Sequence, residues 1–479
     1  MALSNCTRCL TRPSSGLRLT PRITPIVTFT APFSTTTPAG AMPTKGNKAT
    51  GKTYKKPLQM LGRHMRRGKV GQNAAKKKDI PHFKKPAPGE RKAFRKRIQL
   101  SNNNAAPVPG LPVLDAGALV NPENLCRMVA IPDNVIDPLR TIESFKITQP
   151  WGLFRKPHML VRNETIDLMT RLKNAAEEKQ TVRTVLTGDK ISGKTMLLLQ
   201  AQSYAFLNNW VVINIPEAQD LVNANTEYSP VAGTTPLQFN QPVYCLNLLQ
   251  SILKANRATL EKYKPSKNYS SIVPHFPKDA TLADLIASAR EAEFAWPVFK
   301  ALWHELTAVS GGPSVLLTID NLAHLMKVSA YRDPAYNPVH AHELTLVRLL
   351  VDALAGKAPM ANGGAVVAAT SRNNAPRSPS MSLALEQSEA AAKGLPIPQA
   401  EAYNKAYDPR VYEAVRGVDV LRVSSLSKAE ARAVMEYWAA SGLLRATVNE
   451  ATVTEKWALA GNGVIGELER ASLTYTRSL

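Results

Sequence analysis

Gly188-Asp189-Lys190-Ile191-Ser192-Gly193-Lys194-Thr195 is a complete G-x-x-x-x-G-K-[ST] phosphate loop, and its flanks decide how it is read. Before it, Thr181-Val182-Arg183-Thr184-Val185-Leu186-Thr187 is β-branched and apolar enough for a buried parallel strand. After it, Met196-Leu197-Leu198-Leu199-Gln200-Ala201-Gln202 reads as a helix. A glycine-rich turn between strand and helix aims backbone N–H groups at an anion. Lys194 then reaches the β- and γ-phosphates, and the Thr195 hydroxyl sits on Mg²⁺. The alternative, a chance match in a flexible loop, is disfavoured by having a strand on one side and a helix on the other. The spacing predicts a nucleoside-triphosphate site.

Four further apolar runs extend the sheet: Trp210-Val211-Val212-Ile213-Asn214-Ile215, Ser314-Val315-Leu316-Leu317-Thr318-Ile319-Asp320, Ala365-Val366-Val367-Ala368-Ala369-Thr370 and Val418-Asp419-Val420-Leu421-Arg422-Val423. Strands alternating with helical stretches imply a parallel sheet covered on both faces. Ligands of such sheets bind at the carboxyl ends of the strands, where Asp320 and Thr370 emerge. A hydrophobic strand ending in Asp downstream of a phosphate loop supplies the acid that holds Mg²⁺. Alone, a strand-terminal Asp is more often a turn or helix cap; coupled to the loop, Asp320 reads as metal-holding. The following residue is Asn321, where NTPases with an additional strand between these two usually carry the water-activating carboxylate. An amide accepts no proton, so rapid hydrolysis is not expected. Thr370, with Ser371, takes the place of a polar residue sensing the γ-phosphate. Arg372 either assists or faces solvent.

Charge is segregated. The chain holds 60 Lys and Arg against 37 Asp and Glu, and 23 of the basic but only two of the acidic residues fall within 1–100, so the remainder is nearly neutral. Residues 1–40 carry Arg8, Arg12, Arg18 and Arg22, many Ser and Thr and no acid, the composition of a mitochondrial transit peptide. Residues 41–100 hold clusters such as Lys76-Lys77-Lys78 and Arg95-Lys96-Arg97 among Gly, Pro and Asn. Such a chain buries too little apolar area to order alone, and is expected to be disordered until it meets phosphate. RNA contact competes with an extended presequence or solubilising tail; lysine triplets this far into the chain favour RNA, with binding that weakens steeply in salt. Cys6 and Cys9 fall in the segment expected to be removed, which leaves Cys126 and Cys245, too few for a disulfide framework or zinc site. Thr24 to Phe33 is too short and too proline-broken to span a bilayer.

Ser101 to Pro112 reads as a polar linker, and the folded body is expected from about residue 115. The chain then divides into a transit peptide (1–40), basic arm and linker (41–114), nucleotide-binding core with helical insertions (115–426) and C-terminal helical lid (427–479). Thr281 is the expected N-cap of one inserted helix and 342–355 an amphipathic stretch. Ser427-Lys428-Ala429-Glu430 is a capping box opening the lid. His340 and His342 have no third ligand nearby and read as ordinary loop or helix-start residues. Insertions of this size on such a core are usually partner-docking surfaces.

Three segments carry a resemblance to a family: the loop Gly188–Thr195, the run Asn209-Trp210-Val211-Val212-Ile213-Asn214-Ile215-Pro216-Glu217-Ala218, and Thr148-Gln149-Pro150-Trp151-Gly152-Leu153-Phe154. From about residue 120 onward the chain resembles the mitochondrial small-ribosomal-subunit family of death-associated protein three, and Pro236-Leu237-Gln238-Phe239-Asn240-Gln241-Pro242 resembles its fungal branch. The resemblance implies a matrix protein of the small-subunit head, near the large subunit, with small-subunit rRNA, other small-subunit proteins and large-subunit bridge proteins as partners. It also implies an AAA-like P-loop core with a helical lid, holding GTP or GDP with Mg²⁺. Carried over, the nucleotide falls to Gly188, Asp189, Lys190, Ile191, Ser192, Gly193, Lys194, Thr195, Met196 and Thr370, the metal to Thr195 and Asp320, and the base to the neighbourhood of Val161 and Arg162 in Val161-Arg162-Asn163-Glu164. The chain has no Asn-Lys-x-Asp motif that selects guanine, so guanine rests on the resemblance and ATP stays open. A ribosomal structural component with nucleotide as folding ligand explains arm, presequence, insertions and missing base together. The alternatives are an active matrix ATPase or GTPase serving assembly or remodelling, and a DNA-binding ATPase. The first wants an acid after Asp320, and the second wants a winged-helix block for which too few residues follow 427.

Overall fold

The five apolar runs form five strands of one parallel sheet: β1 (Thr181–Gly188), β2 (Val211–Ile215), β3 (Val315–Asp320), β4 (Gly364–Ala369) and β5 (Asp419–Val423). Their spatial order is β5-β1-β4-β3-β2, every neighbouring pair parallel. β4 is thus the additional strand between the loop strand and the Asp320 strand, and the fold is an AAA-like P-loop α/β sheet. The computed structural model describes residues 98–473 apart from 273–275, 278, 374 and 402, all within one unit that begins at His82. The expected transit peptide and the basic clusters up to Arg97 lie outside the described residues.

Alternation along the strands feeds two cores. Val185, Ile213, Leu317 and Val366 face a cluster built with Leu249 of α3 (Pro242–Leu260), Phe299 of α4 (Ala292–Thr307) and Leu350 of α5 (Thr345–Leu354). Leu186, Val212, Leu316 and Val367 face the other, with Leu168 of α1 (Asn163–Glu177) and Leu198 of α2 (Lys194–Leu207). The opposite parities of the two sets are what a period of two requires. In α2, Leu197, Leu198, Leu199, Ala201 and Ala205 are all buried, so it is apolar around its circumference, as a helix enclosed by sheet and neighbours must be. Gln202 anchors it to the sheet: its amide donates to Asn214 Oδ1 (3.0 Å) on β2 and to Thr318 Oγ1 (2.8 Å) on β3. β2 is an edge strand, and Asn256 of α3 mimics a sixth strand there: Val212 N donates to its Oδ1 (2.8 Å) and its Nδ2 donates to Val212 O (3.0 Å). That blocks pairing along the exposed edge.

The lid comprises α6 (Lys428–Ala440), α7 (Glu450–Leu459) and α8 (Ile465–Ser472), around a third cluster that includes Met435, Trp438 and Leu468. Both expected caps form: Ser427 with Glu430, and Thr281 with Asp284. One expectation is corrected. The segment 98–114 is no free linker: Leu100 and Leu114 are buried in the second core, Val108 and Leu111 pack on the lid cluster, and Val113 bridges to Ala130. Its spaced apolar residues explain the docking; the Asn and Pro between them concealed the pattern. Among the described residues no helix is long and apolar enough to cross a membrane.

Candidate nucleotide site

Register brings the functional ends together. Ala369 on β4 pairs with Leu186 on one side and Asp320 on the other, so Thr370, Asp320 and the loop after Gly188 share one edge of the sheet. Gly188 has φ +134°, and a Cβ there would run into the Val423 carbonyl oxygen of β5. Gly193 has φ +103° and is the N-cap of α2, which has no side-chain cap. The first amides of a buried helix therefore lack a side-chain acceptor, the arrangement that suits a phosphate.

Lys194 is the key group. It is buried, and its ammonium donates only to the loop's own oxygens: Gly188 O (3.1 Å), Asp189 O and Ser192 Oγ (3.4 Å). Burial pushes it down to about 8; the Arg372 guanidinium pushes the same way, against the pull of Asp189 and Asp320. A cation held by neutral oxygens in a desolvated turn is stabilised by any anion placed against it. A polyphosphate therefore fits this cradle on the chemistry of its donors.

Beside the first turn of α2, Thr195 Oγ1 donates to Asp320 Oδ2 (3.2 Å), while Asn321 N donates to Oδ1 (3.0 Å). One hydroxyl and one carboxylate in contact suit Mg²⁺, which takes few protein ligands and keeps its waters. Sequence reasoning missed Lys146, whose ammonium lies 3.0 Å from Asp320 Oδ2 and also donates to Pro216 O. Thr370 reaches the same edge, yet its hydroxyl and its amide both donate to Leu186 O (3.0 Å each), turning it back onto β1. Arg372 pairs with Asp189 at 2.9 Å on the exposed rim of the loop, where such a pair contributes little.

Val161 and Arg162 take structural posts. Val161 is fully buried, its amide donating to Arg127 O and its carbonyl accepting from Cys126 N, both at 2.9 Å. Arg162 is a buried clamp: Nε donates to Glu430 Oε1 (3.3 Å), Nη1 to Ser192 O (3.4 Å), and Nη2 to Glu164 Oε1 (3.3 Å) and Ser424 O (3.0 Å). It ties loop, α1 and lid into one knot, a role that no local motif announces. Glu164 answers by accepting from Ser424 N (3.0 Å) and Oγ (2.8 Å). Above the loop, Gly466 N donates to Ile191 O (3.4 Å), and a Cβ at Gly466 would meet Ile191 Cδ1 at 2.8 Å. The lid therefore rests on the phosphate loop itself.

A profile of the family described as mitochondrial ribosomal death-associated protein 3 matches residues 159–471. The chain is 46% identical to the small ribosomal subunit protein mS29 of Neurospora crassa over 99% of both chains. It is 24% identical to the protein of that name from Schizosaccharomyces pombe, over 66% of this chain and 65% of that one. Against that of Mus musculus, identity is 27% over 24% of this chain and 29% of that one. Among solved structures, a Walker-type ATPase of Pyrococcus abyssi superposes with TM-score 0.32 at 14% identity, over 63% of this chain and 65% of that one, too loosely to weigh in the assignment.

Proposed function

The chain belongs to the mitochondrial ribosomal death-associated protein 3 family, and from that premise we propose that it is a structural component of the small subunit of the mitochondrial ribosome, holding a guanine nucleotide with little or no turnover. The observation that carries this reading is the 46% identity that runs through 99% of both chains, arm included, to a small ribosomal subunit protein. The same proposal puts it in the mitochondrial matrix, within the subunit head and near the large subunit, a reading that the family membership supports. The basic clusters between residues 41 and 100 are the proposed rRNA contact, since segregated Lys and Arg serve a polyanion.

Gly188 to Met196 hold the phosphates, with Lys194 as the charged contact. Thr195 and Asp320 would hold Mg²⁺ here, and the ion would supply charge neutralisation for the phosphates. Slow turnover is supported by the state of the carboxylates. Asp320 Oδ1 accepts from Asn321 N, and Oδ2 is shared by Thr195 and Lys146, so this acid is committed to its neighbours as an acceptor and as the partner of a cation. Asn321 offers an amide where a base would stand. A bound nucleotide then stabilises the fold by mass action alone. The test is sedimentation of a mitochondrial lysate through a density gradient, probed for this chain. Co-migration with small subunits is expected; a chain that stays among free proteins would refute the assignment.

A further inference from the structure

Lys146 is held in place by more than one anchor. Its backbone N–H donates to Gln149 Oε1 (2.8 Å), which also accepts from Trp151 Nε1 (2.8 Å), while Gln149 Nε2 contacts Met196 Sδ (3.1 Å) in the first turn of α2. Trp151 is buried with its ring edge-on to Phe145 at 5.3 Å. The strap from Phe145 to Trp151 is thereby pinned beside the phosphate loop. From it the Lys146 ammonium reaches Asp320 Oδ2 and Pro216 O, which leaves one of its three donors. Thr195, Asp320, Lys146 and Gln202 line the same small cavity.

Asp320 is the carboxylate expected to hold a divalent cation, and a lysine already neutralises it. A cation entering at Oδ2 would meet the ammonium at short range as a like charge. With Lys194, the chain brings two ammonium groups to one phosphate site, enough to offset much of a nucleotide's charge without metal. We propose that Lys146 is a built-in counter-cation of this site: it and Mg²⁺ are alternatives at Asp320, and guanine nucleotide stays bound when the divalent ion is removed. This rests on the nucleotide-site reading above.

The experiment measures binding of a fluorescent guanine nucleotide to the full chain, with magnesium or with excess EDTA, on the native protein, Lys146→Met and Lys146→Arg. Native affinity is expected to change by less than about threefold on EDTA, while Lys146→Met weakens by at least roughly tenfold in EDTA and recovers with magnesium. Lys146→Arg, which keeps the charge, should stay closer to native than to Lys146→Met. A native protein stripped by EDTA overturns the proposal on its own, whether or not any variant folds; so does a folded Lys146→Met that ignores EDTA. Failure of the native protein to bind nucleotide in either condition refutes the site reading itself, and the Lys146 role falls with it.

Discussion

Arg162→Met tests whether loop and lid are one mechanical unit. The substitution keeps much of the apolar stem but removes the guanidinium that joins Ser192 O, Glu164, Glu430 and the carbonyls of Ser424 and Ser425. Glu430 is 5% exposed and would remain as a buried charge without its cation. Stranding one partner of a buried pair costs about 3–5 kcal/mol. The contacts here are 3.0–3.4 Å, mostly long for charged bonds, which puts the expectation near the lower end, about 3 kcal/mol. Glu430→Gln is the informative partner: it removes the charge while Gln can still close the capping box that Glu430 Oε2 makes with Ser427 N (2.7 Å). The double variant should therefore lose less than the sum of the singles, with a coupling of about 1–3 kcal/mol. Urea unfolding of the full chain gives these values from the midpoint and slope. A single variant within about 1 kcal/mol of native, or strictly additive singles, would refute the clamp.

Two further outcomes separate chemistry from scaffold. Lys194→Ala removes a charged phosphate contact worth about 1.5–3 kcal/mol, so nucleotide affinity should fall roughly 10- to 150-fold, whereas Asn321→Ala should leave it within about threefold; equal defects in a binding titration would contradict the assignment. Acid should unfold the chain through His342, which burial pushes down to about 3, with His340, Arg410 and Arg348 pushing the same way and Asp408 pulling back. Because the folded value lies below the ordinary 6.5, the unfolded chain binds the extra proton, and stability drops as pH falls from about 6.5 toward 3, by at most about 1.4 kcal/mol per unit. His158, pushed down to about 4 by burial, adds to the slope. Thermal midpoints measured from neutral to acidic pH should decline less steeply in His342→Leu; identical slopes would clear His342 of the role.

Local signals made the sheet legible and left the joints hidden. β1 to β5 each fall within one residue of an apolar run; β2, β3 and β4 are buried throughout, as strands covered on both faces must be, while the edge strand β5 shows Asp419 and Arg422 to solvent. The phosphate loop, Asp320 and the Ser427 cap are likewise short-range patterns. Lys146 is a lone lysine in a polar stretch, 174 residues before Asp320, and only the tertiary path of the Phe145–Trp151 strap brings the two together. Arg162 reaches Glu430 across 268 residues, and in the sequence only the resemblance marks it, for the neighbourhood of the base. Thr370 stands where strand periodicity put it, but which way a hydroxyl turns depends on a carbonyl of the neighbouring strand, and periodicity carries no such information.

The same joints explain how a nucleotide could matter without being consumed. Three pieces of the chain distant in sequence converge on the loop: the strap through Lys146 and Gln149, the α1 turn through Arg162, and the lid through Gly466. Among the described residues Lys194 is the one lysine counted as buried, and its partners there are neutral oxygens. The loop is thus a place where the folded chain carries an electrostatic cost, and also where all three pieces are fastened. On the proposed reading, phosphate removes that cost at its source. A free ligand at about a thousand times its Kd adds roughly 4 kcal/mol to the folded state, comparable to the Arg162 clamp. On that reading the amide of Asn321 beside Asp320 suits the site, since cleavage of the ligand would only shorten the life of the fastening.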